Sequence, residues 1–128
     1  PEGLGRTIPE IREMLPEGAE PFTKVDFSCW RAEGFAQQFR YLALKAAVLV
    51  GMESHVCVLG SVLDMLGEGI RMHVPGDAVV SRTESNRRVG LELMDRAGAV
   101  VTSSEAVVFQ MLGRAGTPEF KAMAKLLK

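Results

Sequence analysis

The sequence predicts an α/β protein built on a parallel sheet. Short apolar runs at 46–50, 70–74 and 99–101 have the composition of buried strands, and helical patterns of roughly ten to thirteen residues separate and follow them. The glycines and prolines fall between the periodic segments, where turn chemistry uses them. Strands alternating with helices in this way require crossover connections, which means right-handed βαβ units and a parallel sheet.

Each element has its own local justification. Residues 8–15 carry Ile8, Ile11 and Leu15 at helical spacing, with Pro9 near the start and Pro16 as the stop. Residues 21–30 (PFTKVDFSCW) read as extended or irregular, and are rich in reactive and aromatic groups. A helix is expected over 34–44, with Phe35, Phe39 and Leu42 on one face. Ala46–Val50 is an uninterrupted apolar run, the pattern of a strand buried on both faces, and it ends in a turn over Gly51–His55. The next helix is expected over Val56–Leu66, with Val56, Leu59, Leu63 and Leu66 toward the core and Gly67 or Gly69 as its stop. Ile70–Val74 reads as a strand leading to Pro75, Gly76 and Asp77. A helix over Glu84–Arg96, ended by Gly98, precedes a buried strand at Ala99–Val101. Thr102 and Glu105 have capping-box spacing for a helix through Leu112, and Thr117–Pro118 opens a final helix with Phe120, Met123 and Leu127 inward.

Composition narrows the function classes. With 128 residues, 47% hydrophobic and 24% charged, the chain reads as one globular domain over residues 1–128 that needs neither disulfide nor metal for its core. Fifteen basic and 16 acidic residues are interleaved for a net charge of -1, so no basic face points to nucleic acid. The apolar stretch Ala46–Met52 is far too short for a bilayer, so no membrane partner is expected. Two cysteines without CxxC spacing or a Cys/His cluster suggest free thiols in a reducing compartment, and with no leader pattern the expectation is cytoplasmic. The chain opens at Pro1 in a loop-like run, PEGLGRT, as a sequence entered in its middle would.

In a parallel sheet the ligand lies outside the carboxyl ends of the strands. Lys24–Trp30, Glu53–Cys57, Asp77 with Ser81, and Thr102–Glu105 fall there. Cys57 is the best placed, in the first turn of a helix that follows a strand. Unsatisfied N–H groups and the positive end of the helix dipole favour a thiolate at that position. The same N–H groups can hold an oxyanion formed when a thiolate attacks a carbonyl. The competing reading is a small buried apolar residue, as most free cysteines are. Lys24, near Phe22 and Phe27, reads either as a site residue or as a surface lysine, and Cys29 reads as packing. His55 invites a Cys–His dyad, but residues two apart at a helix start point in different directions. Asp77 reads first as a stabiliser of the sheet end or a loop cap. His55 and His73 lack the spacing and companions of a zinc site, so no metal is expected. Gly3 and Gly5 resemble half of a dinucleotide loop with no strand before them in the chain, which is too little to imply a cofactor.

The run VLVGMESHVCVLGSVLDMLGEG resembles the nucleophile segment of isochorismatase-like cysteine hydrolases: an apolar strand, Gly-x-x-Thr-x-x-Cys-Val, then a helix. Gly51, Ser54, Cys57 and Val58 take those places, with Ser for Thr at 54. Asp77, Ala78 and Ser81 match the family's Asp-Ala-x-x-Ser strand end, and Gly98, Ala99, Ser103 and Glu105 match its Gly-Ala-x-x-x-Thr/Ser-x-Glu segment. FTKVDFSCW is similar to the stretch bearing the catalytic lysine, here Lys24, and PEGLGRTIPEI is similar to the branch of isochorismatase domain-containing proteins.

The resemblance implies a three-layer α/β/α fold with a Rossmann-like sheet, Cys57 as nucleophile and Lys24 as the cation beside it. It implies a cis peptide between Met52 and Glu53, with the N–H groups of Glu53 and Cys57 forming the oxyanion hole. Phe27, Trp30 and Ser54 are the candidate substrate-pocket residues, although Phe27 and Trp30 read equally well as core. It further implies an aspartate on a first strand that would lie upstream of Pro1, so that roughly 35 to 50 residues would precede it at usual loop lengths. Asp26 and Asp77 do not match that aspartate's motif.

The function expected is hydrolysis of a small amide or related small molecule through a thioester on Cys57, by a homo-oligomer without cofactor. The rivals are a binding or scaffold protein on the same fold, and a redox-sensing thiol protein in which Cys29 resolves Cys57.

Overall fold

A computed structural model describes Gly3 and residues 5–127; the opening run PEGLGRT lies partly outside them. In chain order the elements are α1 (Pro9–Arg12), α2 (Phe35–Tyr41), β1 (Ala46–Val48), β2 (Gly51–Met52), α3 (Leu59–Gly67), β3 (Arg71–Pro75), β4 (Val79–Val80), α4 (Glu84–Arg96), β5 (Val100–Thr102), α5 (Ser104–Leu112) and α6 (Pro118–Leu126). A 3₁₀ turn over Cys29–Arg31 precedes α2, and a π-helical turn over Ser54–Val58 precedes α3.

All strand pairs are parallel. β3 is central in a three-stranded sheet of order β1–β3–β5, with Ala47 opposite Met72 and Val74 opposite Val101. β2 and β4 form a second pair, Met52 opposite Val80. The stretch 46–52 is therefore one extended segment that changes partner: the Leu49 N–H still donates to His73 O at 2.9 Å, and two residues later the chain pairs with β4. Gly51 lies between these partners at φ 118°, a backbone conformation that side-chain-bearing residues rarely adopt.

The pleat of β3 divides the layers. Met72 and Val74 are buried with Val62 and Met65 of α3 and Met94 of α4, whereas His73 faces the other way. His73 lines a groove of about 400 Å³ with Ala46, Ala47 and Val48 on one side and Val107 and Met111 of α5 on the other. Helices thus flank both faces of a parallel, Rossmann-like sheet.

Several expectations are corrected. The run 46–50 is not buried on both faces, since Val48 is 46% and Val50 54% exposed; among the described residues β1 has a partner on one side only. Val100 and Val101 of β5 are exposed for the same reason. Val62 and Met65 are the most buried positions of α3 and Leu59 and Leu66 pack beside them, but the expected Leu63 is exposed, and the chain enters this helix through a π turn that buries Val58. The first helix shrinks to the four residues of α1 and buries none of them, too little to offset the cost of nucleation. α2 ends at Tyr41 with Leu42 exposed. The N-cap of α5 is Ser103, one residue past Thr102, and its hydroxyl accepts from Ala106 N–H. Gly60 and Gly90 lie inside α3 and α4 rather than between elements.

Candidate active site

Cys57 lies beyond the carboxyl end of β2, in the wide turn Ser54–Val58. The Met52–Glu53 peptide that enters this turn is cis. Glu53 O accepts from Val56 N–H and from Val58 N–H, each at 3.1 Å. In a regular α-turn that carbonyl would take the N–H of Cys57, four residues on. The π geometry passes over Cys57 and bonds its neighbours instead, and Leu59 N–H then reaches back to Ser54 O. Such wide turns cluster at functional sites. The first helical turn expected at Cys57 is thus a π turn, and its extra width is not visible in residue types.

Two contacts hold this turn from outside. Gly90 of α4 packs on the backbone of Ser54 and His55 so closely that a Cβ there would lie 2.8 Å from His55 N and 2.9 Å from Ser54 O. On the other side, the buried Ser61 hydroxyl donates to Cys57 O at 2.7 Å and accepts from Cys29 N–H at 2.9 Å. Ser61 thereby joins the cysteine turn to the segment that follows Lys24. Arg31 and Asp64 add an ion pair at 2.9 Å across the same junction, and this guanidinium holds the Asp64 carboxyl below the usual carboxylate range. Sequence reasoning missed both Gly90 and Ser61, since each acts through a neighbour distant in the chain.

The lysine segment forms the facing wall of a cleft of about 580 Å³, where Asp26 and Phe27 oppose His55, Val56 and Leu59. Neither Cys57 nor Lys24 is among the residues that line this cleft, and a groove of equal volume lies over Arg6–Glu13. The Lys24 ammonium is turned onto its own loop, donating to Asp26 O at 2.9 Å and Phe27 O at 3.0 Å. Cys57 is half-buried, as is Cys29, which packs against the core cluster. Phe27 is 68% exposed on the cleft. Trp30 is not a cleft wall: it is buried in the core, edge-on to Phe35 and Phe39 at centroid distances of 6.2 and 5.6 Å. Ser54 is fully enclosed, with no hydrogen-bond partner for its hydroxyl among the described residues.

His55 turns to the strand ends. Its Nδ1 lies 3.1 Å from Ser81 Oγ and its Nε2 3.6 Å from a Glu53 carboxylate oxygen. Arg82 Nε donates to both oxygens of that carboxylate, at 3.0 and 3.1 Å. Asp77 caps α5: its carboxylate accepts Ser104 N–H at 2.8 Å, and this bond lowers its pKa. Arg87 closes the other side of the same loop, donating to Val79 O at 3.1 Å and to Gly76 O.

Several known proteins are similar to this chain. Isochorismatase domain-containing protein 2 of Homo sapiens is 38% identical over 128 residues, covering 100% of this chain and 60% of that protein. The secreted isochorismatase effector Isc1 of Phytophthora sojae is 40% identical, covering 98% of this chain and 61% of its own length. The chain therefore spans about 60% of the length of these curated relatives. The structure of a MAR1 ribonuclease from Caenorhabditis elegans superposes with a TM-score of 0.90 at 37% identity, covering 98% of this chain and 64% of that one. The nicotinamidase PncA of Bacillus subtilis, at 20% identity and TM-score 0.61 over 64% of this chain and 46% of its own, shares the fold. With the isochorismatase domain matched over residues 4–106, the chain belongs to the isochorismatase family.

Proposed function

We propose that the protein is a cysteine-dependent hydrolase of a small amide or related small molecule, acting through a covalent thioester on Cys57. The observation that supports this most is the turn itself, which takes the Cys57 N–H out of the regular helical ladder in a segment whose His55 and Val56 line a cleft. An N–H group so placed can stabilise the oxyanion that forms when the thiolate adds to a carbonyl. Glu53 N–H, after the cis peptide, is the second donor in this reading. The tetrahedral adduct expels the amine and leaves a thioester, which water then hydrolyses. Lys24, whose ammonium is held by the carbonyls of Asp26 and Phe27, is the cation in this reading. The family resemblance assigns the proton acceptor to an aspartate on the family's first strand, whose motif neither Asp26 nor Asp77 matches.

The pH dependence of Cys57 alkylation, followed peptide by peptide with Cys29 as internal control, tests the reading. An activated nucleophile at Cys57 outpaces Cys29 throughout. Equal, slow reaction of both thiols defeats the proposal and favours a binding protein on the same fold.

The ribonuclease named for the Caenorhabditis elegans structure motivates a second reading, cleavage of RNA. The interleaved charges and net charge of -1 disfavour a surface that tracks phosphates. RNA degradation that persists in Cys57→Ser and falls steeply with salt would support it over the thioester route.

A further inference from the structure

The proposed thioester chemistry asks two N–H groups to hold still, and one of them belongs to Glu53. The side chain of Glu53 plays no part in that chemistry, yet it is braced by two residues, His55 and the largely exposed Arg82. Only 22% exposed, it receives Arg82 Nε on both oxygens and has His55 Nε2 at 3.6 Å, while His55 is itself held by Ser81. The register explains how these groups meet. Met52 pairs with Val80, so Glu53 and Ser81–Arg82 leave two adjacent parallel strands side by side. The main-chain carbonyl of Glu53 meanwhile accepts the Val56 and Val58 N–H groups that define the wide turn. Glu53 is thus joined at its side chain to β4 and at its carbonyl to the cysteine turn.

We infer that Arg82, with His55 as a second brace, is a positioning residue for acyl transfer: by fixing the Glu53 carboxylate to the end of β4 it fixes the Glu53 N–H relative to Cys57. This rests on the thioester reading above. Arg82 touches no reacting atom in it. Its effect is on the oxyanion alone, and that separates it from any residue that merely keeps the thiolate formed or the fold intact.

Two probes make the separation in the full-length protein. p-Nitrophenyl acetate acylates a thiolate through a tetrahedral oxyanion and releases p-nitrophenolate, leaving an acetyl thioester that water hydrolyses to acetate. Iodoacetamide alkylates the same thiolate by direct displacement of iodide at a saturated carbon, with no oxyanion. Plateau rates of both, above the thiol's titration, are measured for wild type, Arg82→Ala, Arg82→Lys and the control Arg88→Ala, which removes a charge from the exposed surface of α4. Arg82→Ala should lower acylation roughly ten- to a hundred-fold, less than the loss of an oxyanion donor outright, while alkylation stays within about two-fold. Arg82→Lys should recover most of the loss, and Arg88→Ala should change neither rate. Equal losses of both rates in Arg82→Ala, no loss, or the same loss in Arg88→Ala overturns the inference. Cys57→Ser separately reports on the thioester reading: acylation that survives it removes that reading, whatever Arg82 does.

Discussion

Gly90→Ala sets two effects of opposite sign against each other at one methyl group. Gly90 lies inside α4, where alanine ordinarily gains about 1 kcal/mol over glycine. Here the new Cβ would lie 2.8 Å from His55 N, 2.8 Å from Ser54 C and 2.9 Å from Ser54 O. All three are main-chain atoms, which no rotamer change can move aside. Overpacking of this kind costs about 1–3 kcal/mol even where side chains can adjust. With only main-chain atoms to receive the methyl group, the cost lies at the top of that range, about 3 kcal/mol, and the helix gain reduces it to a net loss of about 2 kcal/mol, which would lower the thermal midpoint by roughly 5–10 °C. Gly67→Ala is the matched control: it also lies in a helix, and a Cβ there meets nothing within 4 Å. That variant should melt at or slightly above wild type. The clash also displaces the Cys57 turn, so acylation by p-nitrophenyl acetate should fall in Gly90→Ala and hold in Gly67→Ala. A Gly90→Ala protein that melts no lower than wild type would refute the argument that this helix sets the position of the turn.

Two further substitutions probe the polar groups around the site. The Asp77 carboxyl, held below its ordinary value by Ser104 N–H, stabilises the fold above the unfolded carboxylate pKa near 3.9, and that contribution is lost as pH falls through the lower folded value. Asp77→Asn should therefore melt below wild type at pH 7, with the gap closing as both are taken to pH 3; a gap constant across that range counts against the assignment. Ser54→Ala removes a fully buried hydroxyl that has no partner among the described residues and should raise stability by about 1 kcal/mol in a denaturant titration. A clear loss of stability instead would show that the hydroxyl is satisfied in solution.

What was legible in the sequence was what local rules decide. α4 spans Glu84–Arg96 as its periodicity and Gly98 indicate, and Thr117 caps α6 with Pro118 at its first position. Asp77 as a loop cap follows from its place after a strand, and the structure gives it the N-terminus of α5. The inward face of α3 was legible only in part. Of the expected Val56, Leu59, Leu63 and Leu66, Leu59 and Leu66 pack against the core and Leu63 is exposed, while the most deeply buried positions are Val58, Val62 and Met65, each one residue from an expected one, or about 100° around a helix. The π turn that precedes α3 rests on which N–H groups reach Glu53 O, and residue types do not encode that choice. Lys24 shows how a local contact adds to a resemblance: the resemblance sets it beside Cys57, and its ammonium donates to two carbonyls within three residues of it.

The same distinction governs where the chemistry is vulnerable. The turn at Cys57 cannot hold its shape by local propensity, because a π step is rarely stable by itself. Its geometry comes from three places far apart in the chain: Gly90 against Ser54 and His55, Ser61 between Cys57 O and Cys29 N–H, and Arg82 on Glu53. Each belongs to a different element, so each fixes a different direction of movement. Gly90 sets how near the turn lies to α4, Ser61 ties its far end to the lysine segment, and Arg82 ties its entry to β4. A thiolate at a helix start needs none of them, since a dipole tolerates small displacements. An oxyanion hole needs all three, because donors must lie within a few tenths of an ångström of the developing charge. Loss of any one brace should therefore separate the two chemistries at Cys57, slowing acyl transfer well before it slows alkylation.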